Sequence, residues 1–268
     1  MAQRVSRQRL DKELVRQGFF KDSQAALRAI LAGHVSTSDR RLTSAGELVP
    51  EGIFLHVKGA IPYVSRGGLK LEKAIESFDI NLKGYYTVDM GASTGGFTDC
   101  MLMNGAVKVY ALDVGYGQLD YKLRMDPRVV NMEKTNIRYL DTALIEEPID
   151  FISIDVSFIS LKHMFPVASE ILKDSGSVMC LIKPQFEAGR EQVGKKGIVR
   201  DSKVHVEVIK NVIGYAALDG LYPHGLDYSP VKGTKGNIEY LLYLKKTESI
   251  DSISPEEVVD IAHSELDY

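Results

Sequence analysis

The sequence predicts an α/β protein with a mostly parallel sheet, preceded by a small α+β segment. Seven apolar stretches of strand length follow residue 60, with amphipathic helical stretches between most of them. Such alternation argues for a parallel sheet covered on both faces. A glycine-rich turn directly follows the first of those strands. Charge is divided unevenly: residues 1–70 hold 12 Lys and Arg against 6 Asp and Glu, whereas the remainder holds 21 against 30. A basic first quarter on an acidic remainder suggests a polyanion-binding module joined to a different activity.

At 268 residues, with 44% hydrophobic and 26% charged side chains, the chain can bury a sizeable core. No apolar run approaches the roughly 20 residues needed to span a bilayer. The stretch from Met1 to Arg7 is charged with no apolar segment behind it, unlike a secretory signal, so a cytoplasmic protein is expected. Cys100 and Cys180 are the only cysteines, and each lies in an apolar segment. Two such residues supply neither a disulfide framework nor a zinc site, and no bound metal is expected.

The elements follow in order. Leu10, Leu14 and Val15 recur at helical spacing, with Gly18 as the stop. Ser23 is placed to cap a second helix, Gln24 to Ala32, with Ala26, Leu27, Ile30 and Leu31 facing inward and Gly33 ending it. Val35, a polar turn through Ser38-Asp39-Arg40, Leu48-Val49 and a strand from Ile53 to Val57 complete this segment, and Lys58 to Pro62 forms the junction. The strands of the larger part are Tyr86 to Asp89, Val107 to Leu112, Val129 to Met132, Phe151 to Ile154, Ser177 to Ile182, Leu221 to Asp227 and Ile238 to Leu244. Helical patterns cover Phe97 to Asn104, Leu161 to Leu172 and Lys203 to Leu218. The last two strands have no helix between them and are expected to pair as an antiparallel hairpin. From Thr247 onward, Ser254-Pro255-Glu256-Glu257 reads as a cap, a first-turn proline and a capping acid of a peripheral helix. The expected domains are thus residues 1–60, 61–246 and a C-terminal helix within 247–268.

The chemistry centres on Asp89-Met90-Gly91-Ala92-Ser93-Thr94-Gly95-Gly96-Phe97-Thr98. Glycines between a strand and a helix let the backbone turn tightly and approach a ligand. The spacing is neither the G-x-G-x-x-G of dinucleotide sites nor the G-K-[ST] of phosphate loops. A carboxylate at the strand end suits a ligand with a positive amino group and no phosphate, such as S-adenosylmethionine. Asp89, Gly91, Ser93, Gly95, Gly96 and Phe97 are therefore candidate cofactor-binding residues. Asp113 ends the next strand at the spacing of a ribose-hydroxyl acceptor, and Asn136 is a candidate for the adenine side. Asp155 and Lys183 end two further strands, and Glu239 opens the last, antiparallel one. In open α/β sheets, ligands bind at the carboxyl edge, so these polar residues converge there. Lys70, at the head of the helix before the first strand, joins them as a candidate.

The order Lys70, Asp155, Lys183, Glu239 around the glycine turn resembles the K-D-K-E tetrad of FtsJ-type 2′-O-ribose methyltransferases. The likeness is closer to the TlyA family, whose members are named both haemolysins and ribosomal RNA methyltransferases. Tyr63 to Lys70, Asp155 to Ser160, Lys183 to Glu187 and Gly194 to Val199 carry it. Residues 4–57 resemble the S-four-type RNA-binding module of that family through Arg9-Leu10-Asp11, Gly18, Ala25-Ala26 and Ile30 to Val35. They depart from it at Ser23-Gln24 and Ser36-Thr37-Ser38-Asp39.

The resemblance implies a Rossmann-like class I methyltransferase domain of seven strands behind an RNA-binding module. It implies cytidine 2′-O-methylation of ribosomal RNA, free or in ribosomal subunits, with the tetrad as catalytic residues. Arg7, Arg9, Arg28, Arg40 and Arg41 are the candidate RNA contacts. A sugar hydroxyl attacks only when its proton is removed or its developing charge is stabilised. Lys183 is assigned as base or hydroxyl-orienting group, Lys70 beside the nucleophile, and Asp155 and Glu239 as holding the lysines. Base N-methylation would call for a proline-containing acidic-aromatic loop where Asp155-Val156-Ser157-Phe158 has no proline, and cysteine-dependent C-methylation a thiol at the rim, whereas Cys180 lies mid-strand. Two other readings remain: a non-catalytic RNA-binding protein with a retained fold would show tetrad substitutions, and a membrane-active haemolysin a spanning or basic amphipathic helix.

Overall fold

The computed structural model describes residues 7–16, 19–20, 22–37, 40–50, 53, 55–58, 62–233, 235–249 and 253–266. Gly18, the Ser38-Asp39 turn, Phe54 and most of the expected junction lie outside the described residues. The chain divides into two units, residues 1–63 and 64–268.

In the first unit, β1 (Arg7–Arg9) pairs antiparallel with β3 (Leu48–Pro50), and β2 (Val35–Ser36) with β4 (His56–Val57). Helices α1 (Leu10–Arg16) and α2 (Ser23–Leu31) pack through Leu10, Leu14, Ala26 and Ile30 onto Val35, Leu42 and Val49. Asp22, not Ser23, caps α2: its Oδ1 accepts the Ala25 amide at 2.8 Å, and Ser23 is the first helical residue. Leu27 and Leu31 are 38% and 71% exposed, contrary to expectation. Ala26 and Ile30, four residues apart, fill the inward stripe and leave the leucines one step around the helix. Gly33 ends the helix at φ 70°.

The second unit runs α3 (Gly67–Ser77), β5 (Tyr86–Met90), α4 (Gly96–Met103), β6 (Lys108–Asp113), α5 (Tyr121–Arg124), β7 (Val129–Glu133), β8 (Ile149–Ile154), α6 (Phe165–Ile171), β9 (Leu172–Ile182), α7 (Pro184–Glu187), α8 (Ser202–Leu218), β10 (Tyr222–Tyr228), β11 (Tyr240–Lys245) and α9 (Pro255–Leu266). All seven expected strands form one sheet in the order β10-β11-β9-β8-β5-β6-β7. The strands from β5 to β9 are parallel, and β11 lies antiparallel between β9 and β10.

One face of the sheet, bearing Val88, Met90, Ile152 and Ile154, packs on α6, α8 and α9. The other meets α4, where Thr98 hydrogen-bonds Asp89 and Ser153 approaches Met101, and α3, where Phe78 stacks on Tyr243. The expected peripheral helix is integral: Val259 and Ala262 of α9 are fully buried in the main core. His205 of α8 is sealed beneath it, bonded to Tyr240 Oη at 2.6 Å and to the Val199 carbonyl at 3.0 Å, and burial pulls its imidazole down to about 4.

Candidate active site

Three adjoining cavities open along the carboxyl ends of the parallel strands, and all three share Asp155 and Ser157. The first, about 330 Å³, lies over β5, β6 and β8 and is lined by Asp113, Val114, Asn136, Ile137 and Met164. The second, about 280 Å³, is lined by Ser65, Arg66, Gly67, Ser93, Thr94 and Phe97. The third, about 450 Å³, lies between the ends of β9 and β11 and is lined by Phe158, Phe186, Gly197, Lys235 and Glu239.

Strand ends set the first cavity. Gly91 leaves β5 at φ 94°, and a Cβ there would stand 2.4 Å from the Asp155 carbonyl, so only glycine fits. Asp113 accepts the amides of Ser93 at 2.8 Å and Gly115 at 2.7 Å, which fixes its carboxylate across the glycine turn. Asn136 starts a short 3₁₀ turn and accepts the Arg138 amide at 3.2 Å. Asp113, Asn136, Gly91, Ser93, Gly96 and Phe97 therefore all reach the groove.

Two candidates are placed differently. Asp89 is fully buried and lines none of these three cavities; its oxygens accept Thr98 Oγ1 at 2.6 Å and Ser153 Oγ at 3.2 Å. Because β5 continues to Met90, Asp89 lies inside the strand and faces α4, not the rim. Burial pushes its carboxyl up to about 7. Gly95 is likewise absent from the lining: at φ 96°, it turns the chain into α4 against Leu119 and Leu123. Gly96 serves packing as well, since a Cβ there would press on Ser65 Oγ and the start of α3.

The tetrad assembles at the junction of the second and third cavities. Tyr240 of β11 pairs with Ile182 of β9, so the residues just beyond, Glu239 and Lys183, emerge side by side. Lys183 Nζ lies 2.5 Å from Asp155 Oδ1 and donates to Ser157 Oγ at 3.0 Å. Lys70, in the first turn of α3, donates to Glu239 Oε2 at 2.6 Å. Each side chain is at most 19% exposed. Two lysines with two carboxylates make a neutral cluster, which relieves the penalty of desolvating four charges. An ammonium has three donors; Lys183 gives one to Ser157 and faces the Asp155 carboxylate as an ion pair, which leaves donor capacity for an incoming oxygen.

Sequence reasoning quoted Ser157, Arg66 and Phe186 within family-like stretches but gave them no role, and it passed over Lys235. Phe158, at φ 64° and 87% exposed, packs its ring 4.8 Å from Phe186. Such a conformation is a strained one for an aromatic residue. All five candidate RNA-contact arginines are exposed. Arg9 pairs with Asp11 and Arg40 with Glu47, whereas Arg7, Arg28 and Arg41 make no ion pair among the described residues. Cys180 is fully buried in β9 and its thiol is raised by burial, which excludes it as a nucleophile at the rim.

A seven-stranded sheet with one antiparallel strand inserted near its edge, and a groove across the parallel strand ends, defines an α/β methyltransferase. The chain belongs to the FtsJ-like methyltransferase family, which matches residues 63–246. A Bacillus subtilis protein named as a candidate rRNA methyltransferase, YqxC, is 51% identical over 240 residues, 89% of this chain and 85% of that one. TlyA of Mycobacterium tuberculosis, a 16S/23S rRNA (cytidine-2′-O)-methyltransferase, is 39% identical over 96% of each chain. A solved structure from Streptococcus thermophilus, titled a candidate hemolysin, superposes with a TM-score of 0.75 at 47% identity, covering 97% of each chain. Among the described residues no helix is long and apolar enough to cross a membrane.

Proposed function

We propose that this protein is a ribosomal RNA methyltransferase that transfers the methyl group of S-adenosylmethionine to a ribose 2′-oxygen, most consistently of cytidine. The single observation that supports this reading best is the paired tetrad, Lys70–Glu239 and Lys183–Asp155, set between the glycine-turn cavity and the third cavity. The groove suits the cofactor. Its apolar slot of Val114, Ile137 and Met164 closes on the Asp113 carboxylate, as a purine riboside requires, and the neighbouring cavity offers Arg66, Ser65 and Thr94 to an amino-acid head group. Bound there, S-adenosylmethionine supplies an electrophilic methyl carbon.

The chain's residues do the rest. Lys183, already held by Asp155 and Ser157, gives a free donor to the ribose oxygen and fixes its direction of attack. Asp155 is the acceptor through which the hydroxyl proton leaves as the oxygen forms its new bond. Lys70, held by Glu239, adds positive potential beside that oxygen. Asp113 and Asn136 hold the nucleoside of the cofactor, while Asp89 stiffens the turn from beneath. The arginines of the first unit bind the phosphates of structured ribosomal RNA, free or in subunits, in the cytoplasm.

The test is methyl transfer from labelled cofactor to ribosomal RNA, followed by digestion to nucleosides, using the full chain and a chain lacking residues 1–60. The label is expected in 2′-O-methylated nucleoside, with the truncated chain binding RNA more than tenfold more weakly but the cofactor equally. Label on a base, or no transfer to any ribosomal RNA, would refute the reading. Equal RNA affinity in the two chains would remove the RNA-binding role from the first unit.

A further inference from the structure

Two stretches of the second unit have no role in the reaction so far: the loop Gly194 to Val199 and the segment Gly233 to Asn237. Both border the third cavity, through Gly197 on one side and Gly233, Lys235 and Asn237 on the other. One side chain joins them. Asn237, 1% exposed, accepts the Val199 amide on Oδ1 at 3.0 Å and donates from Nδ2 to the Gly197 carbonyl at 2.8 Å. Its own carbonyl accepts the Gly233 amide at 2.9 Å. The carboxamide therefore uses its acceptor and a donor on a single neighbouring loop, while its backbone ties down the other.

The two loops are shaped for this contact. Gly197, at φ 74°, closes the tight turn that returns its amide to the Gly194 carbonyl at 2.7 Å. A Cβ at Gly197 would stand 3.3 Å from Lys235 Nζ, so the loops meet directly. A Cβ at Gly233 would stand 2.4 Å from Glu239 Oε1, so the second loop also rests on the carboxylate that holds Lys70. His205 bonds the carbonyl of the same residue, Val199, at 3.0 Å. Lys235 lines the third cavity and Lys232 the second, whereas Lys195 and Lys196 line a separate cavity beside the first loop.

We propose that Asn237 is a positioning residue: its carboxamide locks the Gly194–Val199 loop against Gly233, Lys235 and Gly236, so that Lys235 meets the phosphodiester backbone of the RNA strand whose ribose enters the third cavity. This rests on the methyltransferase reading above. Asn237 itself touches neither cofactor nor the reacting oxygen in this role. Its loss loosens the walls of the substrate cavity and leaves the cavities over Gly91 and Asp113 intact.

The test compares N237A and N237D with wild type in the full chain. N237D has the same shape and keeps an acceptor for Val199, but it sets a carboxylate oxygen against the Gly197 carbonyl. Both variants are expected to raise KM for ribosomal RNA about tenfold, the effect of losing one or two net hydrogen bonds. Turnover at saturating RNA is expected to stay within about threefold of wild type and S-adenosylmethionine affinity within about twofold, by calorimetry. Amide exchange of Gly197–Val199 in N237A should quicken by more than about tenfold without change in β5, β6 and β8. Unchanged exchange and unchanged KM would overturn the proposal, as would a parallel loss of cofactor affinity and thermal stability, which marks a general folding role. Absence of methyl transfer by the wild-type chain would instead sink the functional reading, and the exchange comparison would still decide whether Asn237 locks the loop.

Discussion

The cofactor end of the groove rests on main chain, whereas its substrate end rests on charged pairs between residues far apart in the sequence. Around Gly91 and Asp113 the shape comes from strand ends, a left-handed glycine and two backbone amides that fix one carboxylate. Around Lys70 and Lys183 it comes from ion pairs, one of them joining residues 169 positions apart. A site of the first kind forms as soon as neighbouring strands align. A site of the second kind needs the antiparallel strand β11 and the helix α3 to arrive together, and any unpaired member is left buried at high cost.

That contrast predicts unequal penalties. Glu239→Ala leaves Lys70 desolvated without its partner and should lower stability by about 3 to 5 kcal/mol. Denaturant unfolding measures this, and a double variant Lys70→Met, Glu239→Leu should recover much of it; no recovery would mean that the pair's charge is not the reason.

Beneath the cofactor end, Asp89 adds a pH dependence. Its folded carboxyl titrates near 7, above the ordinary carboxylate value. Between pH about 4 and 7, the folded state therefore holds a proton that the unfolded state has released, and stability falls as pH rises through that window. Asp89→Asn should abolish that slope, which amounts to on the order of 4 kcal/mol across the window. Parallel stability-versus-pH curves for variant and wild type would show that Asp89 is not the group responsible.

Asp113→Ala gives the smallest effect. Its carboxylate is partly solvated and its amide partners can turn to water, so cofactor affinity should drop about tenfold with stability within about 1 kcal/mol of wild type. Calorimetry and thermal unfolding on the same variant separate the two; a loss of stability without loss of affinity would contradict the assignment.

The same contrast governs what could be read from the sequence. The seven strands were legible because each is an apolar run bounded by glycine, proline or polar turns, and Asp113, Asp155 and Lys183 because each follows such a run directly. Asp89 was misplaced by a strand one residue longer than its apolar pattern: in a strand, one residue decides between the rim and the face. The strand β1 was missed because Arg7-Gln8-Arg9 contains no apolar residue to signal it. The helix α9 looked peripheral because its capping residues, Ser254 to Glu257, say where it starts and nothing about what Val259 and Ala262 meet. Lys70 and Glu239 were picked out from the head of a helix and the start of an antiparallel strand, but their 2.6 Å contact depends on a topology that no local pattern encodes. Asn237 carries no signal in the sequence, because the two backbone groups it serves belong to a loop some forty residues earlier.

The most direct test of the account sets transfer against cofactor binding in Lys183→Ala. With the glycine turn and Asp113 untouched, the variant is expected to bind S-adenosylmethionine within about twofold of wild type while methyl transfer to ribosomal RNA falls by roughly 10² to 10⁴. Transfer at the wild-type rate would contradict it.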